Sequence, residues 1–533
     1  MVYVTPGTAA AATPSRARVL WRPAAVGLAA ALAGLGLAEL TATWLAPGAS
    51  PVLTVGALAI DIVPAEVKDL VIGLFGTADK IVLIVTIVLV LLVLAALAGI
   101  LESRRPPFGR LLVVLIGGIA LFAVLSRSSA STLDAVPAVV AMGGSAIALT
   151  LLTTRLPRPA PAVEPAGIVA PLEPNGPDRR RFLVYTGVTA GIGLLTLAGA
   201  QISAVGTRAA DAARALFTLP AASVRQAAIP AGASLDVAGI TPLITPNADF
   251  YRIDTALSVP RIDPTTWRLK ITGMVENEVE IDFAELLALP LEESMTTLAC
   301  VSNYVGGDLI GSATWLGYPI RELLARAKPQ SGADMVLSRS QDGFTAGTPI
   351  EALTDGRNAI LAVGMNGEPL PLEHGYPVRM VVPGLYGYVS ATKWVIELKL
   401  TRFADEQGYW TPRGWSALGP VKLSSRIDVP RGGTSVPAGS VVIAGVAWSQ
   451  HVGVSAVAVQ IDNGPWQDAT LADAISVDTW RQWAYTWTDA GIGNHSIKVR
   501  ATDAANLVQT SATADVAPDG ATGLHEVTVS VSA

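Results

Sequence analysis

The segment TTLACVSNYVGGDLIGSATW, Thr296–Trp315, contains Cys300, the single cysteine among 533 residues. Ser302, Asn303 and several glycines follow the thiol closely. Glycines let a backbone approach a bulky ligand, and a thiolate binds soft transition metals well. Cysteine is also often a buried, inert core residue, and it can act as a nucleophile, here with His374 as its base. The residue types alone leave these three roles open.

A second group of polar side chains lies in MNGEPLPLEHGYPVRMVVPGLYGYVSATKW, Met365–Trp394. It sets His374, Arg379 and Lys393 in a frame rich in glycine and proline. Basic groups on fixed turns suit a ligand that carries phosphate. The structural alternatives are an ion pair for Arg379 and a turn with a satisfied side chain for His374.

The composition limits the classes of protein that can hold these segments. Apolar residues make up 51% and charged residues 15%, whereas charged residues are about a quarter of an ordinary soluble protein. The net charge of -6 gives no reason to expect a nucleic-acid partner. One cysteine excludes an intramolecular disulfide, and it excludes an iron–sulfur cluster or a four-cysteine zinc site held by this chain alone.

The amino-terminal part of the chain consists of long apolar segments. The run of twenty uncharged residues from Ile81 to Ile100 predicts a helix about 30 Å long, one hydrocarbon thickness. Pro51–Val63 is shorter and is expected to be re-entrant or surface-bound. The predicted membrane helices are Ala24–Leu45, Ile81–Ile100, Leu111–Leu125 and Val136–Leu152 in a region of residues 1–154, and a fifth at 182–206, Phe182–Gly206.

Positive charges predict the orientation of these helices. With five spans, the three arginine-rich segments fall on one side of the membrane. The amino terminus is then cytoplasmic, and the chain after Gly206 lies outside. The arginines concerned are Arg16, Arg18, Arg22, Arg104, Arg105, Arg110, Arg155, Arg158, Arg179, Arg180 and Arg181.

A Pro/Ala-rich linker is predicted at residues 155–181, and it runs into RRRFLVYTGVTAGIGLLTLAGA. The paired arginines before a weakly apolar segment are similar to a twin-arginine export signal placed internally. The alternative is that these arginines only anchor the fifth span. The signal gains weight if the downstream domain carries a cofactor that is loaded in the cytoplasm, because this export route moves folded proteins.

The remaining chain is predicted to fold as two domains. In residues 240–420, alternating strands such as WRLKITGMV mix with helices such as DFAELLAL, which Asp282 begins, and Tyr318–Ala327. This mixture favours an α+β domain. In residues 421–533, short alternating strands separated by turns favour an immunoglobulin-like β-sandwich. The sequence DNG at Asp462–Gly464 predicts a hairpin.

The segment Met365–Trp394 resembles the molybdenum-cofactor domain of the sulfite oxidase family. The family pattern is approximately N-G-x-P-L-x-x-x-H-G-x-P-x-R-x-x-x-P-G, followed by a glycine-rich turn and K-W, and every fixed position is present. TPNADFYRIDTALSVP, LACVSN and the carboxy-terminal strands resemble other segments of the family. The resemblance extends from about Pro242 to Ala533 and does not reach the membrane region.

The resemblance implies a molybdenum–molybdopterin cofactor with Cys300 as the protein's thiolate ligand to the metal. His374 and Arg379 would hold the pterin phosphate, and Arg252 would also face the substrate anion. The other residues that the resemblance places around the cofactor are Phe250, Tyr251, Arg252, Ser302, Asn303, Ser390, Thr392 and Lys393.

Departures from the family pattern concern the substrate. Phe344 stands where sulfite oxidases have a tyrosine near the metal, and Asp254 stands where a histidine follows the arginine. Tyr304 and Val305 replace arginines. A pocket for a dianion needs several cations. The resemblance therefore supports the cofactor more strongly than it supports sulfite as the substrate.

The sequence therefore predicts a multi-pass cell-membrane protein with an extracytoplasmic molybdopterin-dependent oxidoreductase domain. It would transfer an oxygen atom or two electrons to or from a small-molecule substrate. The chain has no histidine before His374 to ligate a membrane haem. We therefore expect a separate electron-transfer protein or a quinone as partner, and the resemblance of the carboxy-terminal sandwich to the family's dimerisation domain implies a homodimer. The alternative is a cofactor-free membrane protein whose exterior domain binds a partner.

Overall fold

The computed structural model describes residues 16–46, 48–64, 79–127, 131–156, 179–202 and 214–533, together with positions 67, 71, 74, 75 and 212. The chain divides between residues 205 and 206 into two compact units. Most of the predicted Pro/Ala-rich linker, residues 157–178, lies outside the described residues.

The first unit is helical. Its helices are α1 (Arg16–Leu45), α2 (Pro51–Ile62), α3 (Asp79–Arg104), α4 (Phe108–Leu125), α5 (Ala135–Thr153) and α6 (Arg179–Ile202). Among the described residues, five helices are long and apolar enough to cross a membrane, as predicted from the sequence. Helix α2 has 12 residues and is too short to span a membrane. This length agrees with the prediction that Pro51–Val63 is not one of the spans.

Helix α1 packs against α3, α5 and α6 through small residues. A Cβ atom on Gly27 would lie 1.9 Å from the carbonyl oxygen of Ala95, and one on Gly34 would lie 2.1 Å from Oγ of Ser145. The backbones can approach this closely only because the side chains are absent, which is typical of helix pairs in membranes.

The second unit begins with an α+β region. Its strands are β1 (Arg268–Gly273), β2 (Val279–Asp282), β3 (Glu292–Ala299), β4 (Ile310–Pro319), β5 (Met335–Ser340), β6 (Thr345–Pro349), β7 (Ile360–Met365), β8 (Glu368–Pro369), β9 (Arg379–Val381) and β10 (Val395–Thr401). One sheet has the order β3-β4-β7-β8 with β9 paired to β7, and the other has the order β2-β1-β10-β5-β6. The largest apolar cluster among the described residues of this region takes side chains from both sheets.

Short helices connect these strands: α7 (Phe283–Ala288), α8 (Ile320–Ala327), α9 (Glu351–Thr354) and α10 (Gly387–Ser390). Asp282 caps α7 as predicted: its carboxylate accepts a hydrogen bond from the Glu285 amide, and the Glu285 carboxylate accepts one from the Asp282 amide. Helix α8 starts later than predicted, at Ile320, because the two preceding residues complete β4.

The carboxy-terminal region is β-rich. Its strands are β11 (Ser424–Val429), β12 (Ser435–Pro437), β13 (Gly439–Trp448), β14 (Val454–Ile461), β15 (Gln467–Asp468), β16 (Thr470–Leu471), β17 (Arg481–Ala490), β18 (Gly493–Asp503) and β19 (His525–Ser532). The sheets β11-β13-β17-β16 and β12-β19-β18-β14-β15 share one apolar core. The predicted DNG hairpin joins β14 and β15, and the positive φ angles of 48° at Asp462 and 59° at Asn463 fit its turn.

Candidate functional site

A cavity opens where β3 ends and Cys300 follows. Its volume is about 130 Å³. A single water needs on the order of 10–15 Å³ on this measure, so the cavity suits a ligand much larger than a lone ion. Seven of the residues predicted from the sequence line it: Phe250, Tyr251, Cys300, Ser302, His374, Arg379 and Lys393.

Cys300 is buried at one side of this cavity, with 8% of its surface exposed. Burial raises the pKa of the thiol, while hydrogen bonds from the backbone and hydroxyl of Ser302 and from the Val301 backbone lower it. Donors directed at sulfur stabilise a thiolate, which is the form that binds a metal. The local arrangement therefore fits a metal-bound cysteine.

The β-rich domain fixes the strand that leads to Cys300. Thr297 accepts a hydrogen bond from the Trp480 amide at its hydroxyl (2.9 Å) and one from the Gln450 side chain at its carbonyl (2.6 Å). The Thr297 amide donates to the carbonyl of Asp478 at 3.0 Å. The register of β3, and with it the position of the thiol, is thus set partly by another domain.

The loop after Cys300 is held from the same domain. The Arg426 guanidinium donates to the Gly307 carbonyl at 2.7 Å. Gly306 has a φ of 78°, and a Cβ atom there would lie 2.3 Å from the ring of His525. Only glycine meets both conditions. Gly306 and Gly307 therefore serve this close packing, and neither is among the residues that line the cavity.

Arg379 provides a buried positive charge in the cavity. It is 6% exposed, and its nitrogens donate to the carbonyls of Met380 and His374, each at 3.3 Å. Among the described residues, no carboxylate forms an ion pair with it, and burial lowers its pKa to about 10. A buried guanidinium without an anionic partner is costly. The arrangement therefore fits an anionic group of a bound ligand, such as the phosphate of a pterin cofactor.

His374 lies beside this arginine in a neutral form. Burial, and then the charge of Arg379, lower its pKa to about 4. Its Nε2 lies 3.1 Å from the carbonyl oxygen of Asn247, which can only accept, so Nε2 carries the proton. The Phe250 ring packs edge-on against the imidazole at 5.6 Å between centroids.

This shift predicts a pH dependence of stability in the cofactor-free protein. Because the pKa of His374 is about 4 when folded and about 6.5 when unfolded, the unfolded chain binds more protons between these values. Its contribution, on the order of 3 kcal/mol, is complete above pH 6.5 and is lost as the pH falls toward 4. Urea unfolding from pH 7 to pH 4 should show a weaker loss in His374→Gln. Equal losses in the two proteins would contradict the assignment.

Lys393 and Asp254 form a buried ion pair at the cavity wall. Nζ of Lys393 lies 2.7 Å from Oδ2 of Asp254, and the two side chains are 10% and 4% exposed. Burial lowers the pKa of Lys393 to about 8, and Asp254 counteracts this shift. Nε of Arg252 donates to the same Oδ2 atom at 2.9 Å.

Four predicted residues do not line the cavity. Arg252 turns toward Asp254 and leaves its side chain 41% exposed. Asn303 accepts a hydrogen bond from the Leu309 amide at 2.9 Å within its own loop. Ser390 donates to the Tyr386 carbonyl at 2.9 Å, and the Thr392 hydroxyl meets that of Ser338 at 2.7 Å. Their predicted contacts with a cofactor stay predictions.

Four aromatic residues in the lining were not among the candidates: Tyr388, Trp394, Trp410 and Trp415. The Tyr388 hydroxyl donates to the Ser416 carbonyl at 2.7 Å, and its ring lies 5.9 Å from that of Trp415. The signal in the sequence was GYWTPRGW, which places two tryptophans close together among glycines and a proline. Phe344, noted as a departure from the family pattern, also lines the cavity.

Comparisons with known proteins agree with this arrangement. The family model described as "Oxidoreductase molybdopterin binding domain" matches residues 256–410. The mitochondrial sulfite oxidase of Rattus norvegicus is 30% identical over 271 residues, 43% of this chain and 49% of that protein. The chain thus spans about half the length of the sulfite oxidases it matches.

Two bacterial proteins match over more of their own length. The uncharacterized oxidoreductase YuiH of Bacillus subtilis is 30% identical over 157 residues, 30% of this chain and 76% of that protein. The protein-methionine-sulfoxide reductase catalytic subunit MsrP of Burkholderia mallei is 29% identical over 282 residues, 48% of this chain and 78% of that protein.

Proposed function

The chain belongs to the sulfite oxidase-like family of molybdopterin-dependent oxidoreductases, and from this premise we propose that it is a membrane-anchored enzyme that acts outside the cytoplasm. Its cofactor is molybdenum–molybdopterin. The proposal rests on one observation above all: one cavity has the buried thiol of Cys300 at one side and, in its wall, the guanidinium of Arg379, which has no carboxylate partner among the described residues. These are the two groups that a metal-bearing, phosphate-bearing ligand requires.

Each of these side chains has a distinct part. Cys300 binds the metal as a thiolate, supported by donors from Val301 and Ser302. Arg379 and His374, which both line the cavity, would hold the phosphate. When bound, the cofactor supplies the two-electron redox chemistry, and the protein supplies ligation, orientation and electrostatics.

The aromatic lining serves the same chemistry by excluding water. The rings of Phe250 and Tyr251 stack at 5.2 Å beside His374, and Trp410 and Trp415 line the cavity with Phe344. A dry, preorganised site strengthens electrostatic interactions with a bound group. The phenyl ring of Phe344 cannot donate a hydrogen bond or a proton, so any proton needed on that side comes from another group.

The substrate is a small molecule that gains or loses an oxygen atom or two electrons. The named relatives act on sulfite or on methionine sulfoxide in proteins, so sulfur compounds are the first substrates to test. Purified holoenzyme should turn over at least one member of a panel of sulfite, with a dye as electron acceptor, and alkyl and aryl sulfoxides, with a reduced dye as donor. A fully metallated enzyme that turns over none of them would overturn this assignment.

The five apolar helices support a location in the cell membrane with a cytoplasmic amino terminus and the catalytic domain outside. The paired arginines at the start of α6 then act as an export signal for a folded, cofactor-loaded domain. We expect the double substitution Arg179→Lys and Arg180→Lys to leave the catalytic domain in the cytoplasm. Protease accessibility in spheroplasts would measure this, and an unchanged exterior domain would contradict the signal.

The domain boundaries follow from the same proposal. Residues 240–420 form the catalytic domain, and residues 421–533 form an immunoglobulin-like sandwich that pairs two copies of the chain. The enzyme exchanges electrons with a separate protein or with a quinone in the membrane.

A further inference from the structure

We propose that Asp254 is a specificity-determining residue that excludes anionic substrates and adapts the site to uncharged ones. This inference rests on the proposed function and deepens it. Oδ2 of Asp254 accepts hydrogen bonds from two cations, Nζ of Lys393 at 2.7 Å and Nε of Arg252 at 2.9 Å. The Asp254 carboxylate thus neutralises Lys393 and Arg252, two cations that would otherwise attract an anion.

Burial makes this neutralisation effective. The Asp254 side chain is 4% exposed and lines the cavity, and that of Lys393 is 10% exposed. Charges screened from water interact far more strongly than exposed ones. An entering dianion would face the carboxylate at short range and would have to separate it from Lys393, which the low local dielectric makes costly.

The position of Arg252 points the same way. Its guanidinium does not line the cavity, although its sequence neighbours Tyr251 and Ile253 do. The side chain turns toward Asp254 and is 41% exposed. The carboxylate therefore holds this cation at the protein surface, away from a bound substrate.

The rest of the lining offers an anion little compensation. Among the described residues, the cationic side chains that line the cavity are Arg379 and Lys393. Arg379 serves the cofactor, and Lys393 is paired with Asp254. Phe344, Trp410 and Trp415 present aromatic surface instead. Such a wall favours a neutral, polarisable molecule over a hydrated dianion.

The test is the binding of sulfate, a stable dianion, to the holoenzyme by titration calorimetry at constant ionic strength. Asp254→Asn keeps the shape of the side chain and removes its charge. We expect this variant to bind sulfate at least about tenfold more tightly than the unmodified enzyme, because a buried negative charge is removed from the cavity wall. Asp254→Ser removes the carboxylate with a smaller residue and should give the same direction of change.

The double variant Asp254→Asn with Arg252→Gln is the matched control. In Asp254→Asn, Lys393 and Arg252 lose their carboxylate partner, and the added Arg252→Gln removes one of these two cations. The gain in sulfate affinity should therefore be smaller than in Asp254→Asn alone. Unchanged sulfate affinity in both single variants, with molybdenum and pterin retained at the unmodified level, would overturn the role of Asp254 alone. Absence of molybdenum and pterin from the unmodified protein would overturn the proposed function, and this inference with it.

Discussion

Replacing Cys300 by serine is expected to lower turnover by about a thousandfold or more, about 4 kcal/mol in transition-state free energy. The hydroxyl of serine fits the same space, but it does not form the soft thiolate that a molybdenum centre binds. The pterin should remain in the protein, because its proposed phosphate-binding residues, His374 and Arg379, are unchanged. Turnover and pterin fluorescence of the same samples measure the two effects separately.

Labelling of the single cysteine gives an independent test of whether Cys300 binds the metal. A thiol reagent should label Cys300 in the cofactor-free protein under mild denaturant and should react far more slowly in the holoenzyme, where the sulfur is bound to the metal. Cys300→Ser is the matched control, since it leaves no thiol in the chain. Turnover within tenfold of the unmodified enzyme in Cys300→Ser would contradict the assignment of Cys300 as metal ligand.

Arg379→Met is expected to have opposite effects on the two forms of the protein. The holo form should lose its cofactor, because the other cation that lines the cavity among the described residues, Lys393, is paired with Asp254. The cofactor-free form should become more stable by about 1–3 kcal/mol, because a buried charge with no carboxylate partner among the described residues is replaced by an apolar side chain of similar length.

Pterin content and urea unfolding of the cofactor-free protein measure these two effects. Arg379→Lys is the matched control: it keeps the charge but loses the planar fork of donors, so cofactor retention should be intermediate. Loss of cofactor together with loss of stability in the cofactor-free Arg379→Met protein would contradict a ligand-binding role and would favour a structural one.

Much of the fold followed from local patterns in the sequence. Alternation predicted β1 and the short strands of the β-rich domain, and Asp282 at the start of DFAELLAL predicted the start of α7. The DNG sequence predicted the turn between β14 and β15. These features depend on neighbours in the chain, so the sequence carries them directly.

The arrangement of the site could be predicted only in part. The spacing of His374, Arg379 and Lys393 identified one cluster, and their meeting with Cys300 needed the family resemblance. The pairing of Asp254 with Lys393 could not be foreseen, because the two residues are 139 positions apart in the chain. No local pattern in the sequence predicts contacts between residues so far apart in the chain.

The contacts by which the β-rich domain fixes the strand before Cys300 could not be predicted from the sequence either. Thr297 and Trp480 are 183 residues apart, yet their hydrogen bond helps to fix the strand before the cysteine. Trp410 and Trp415 line the cavity, and Trp415 packs against Tyr388, which lies 27 positions earlier in the sequence. Long-range packing of this kind decides which side chains share a site.

The content of molybdenum and pterin in the purified full chain tests the central claim most directly. The protein should be made in cells that synthesise the cofactor, purified in detergent, and analysed for metal and for pterin fluorescence. The cavity beside Cys300 and Arg379 predicts one molybdenum atom and one pterin per chain. Absence of both from the folded protein would contradict the account.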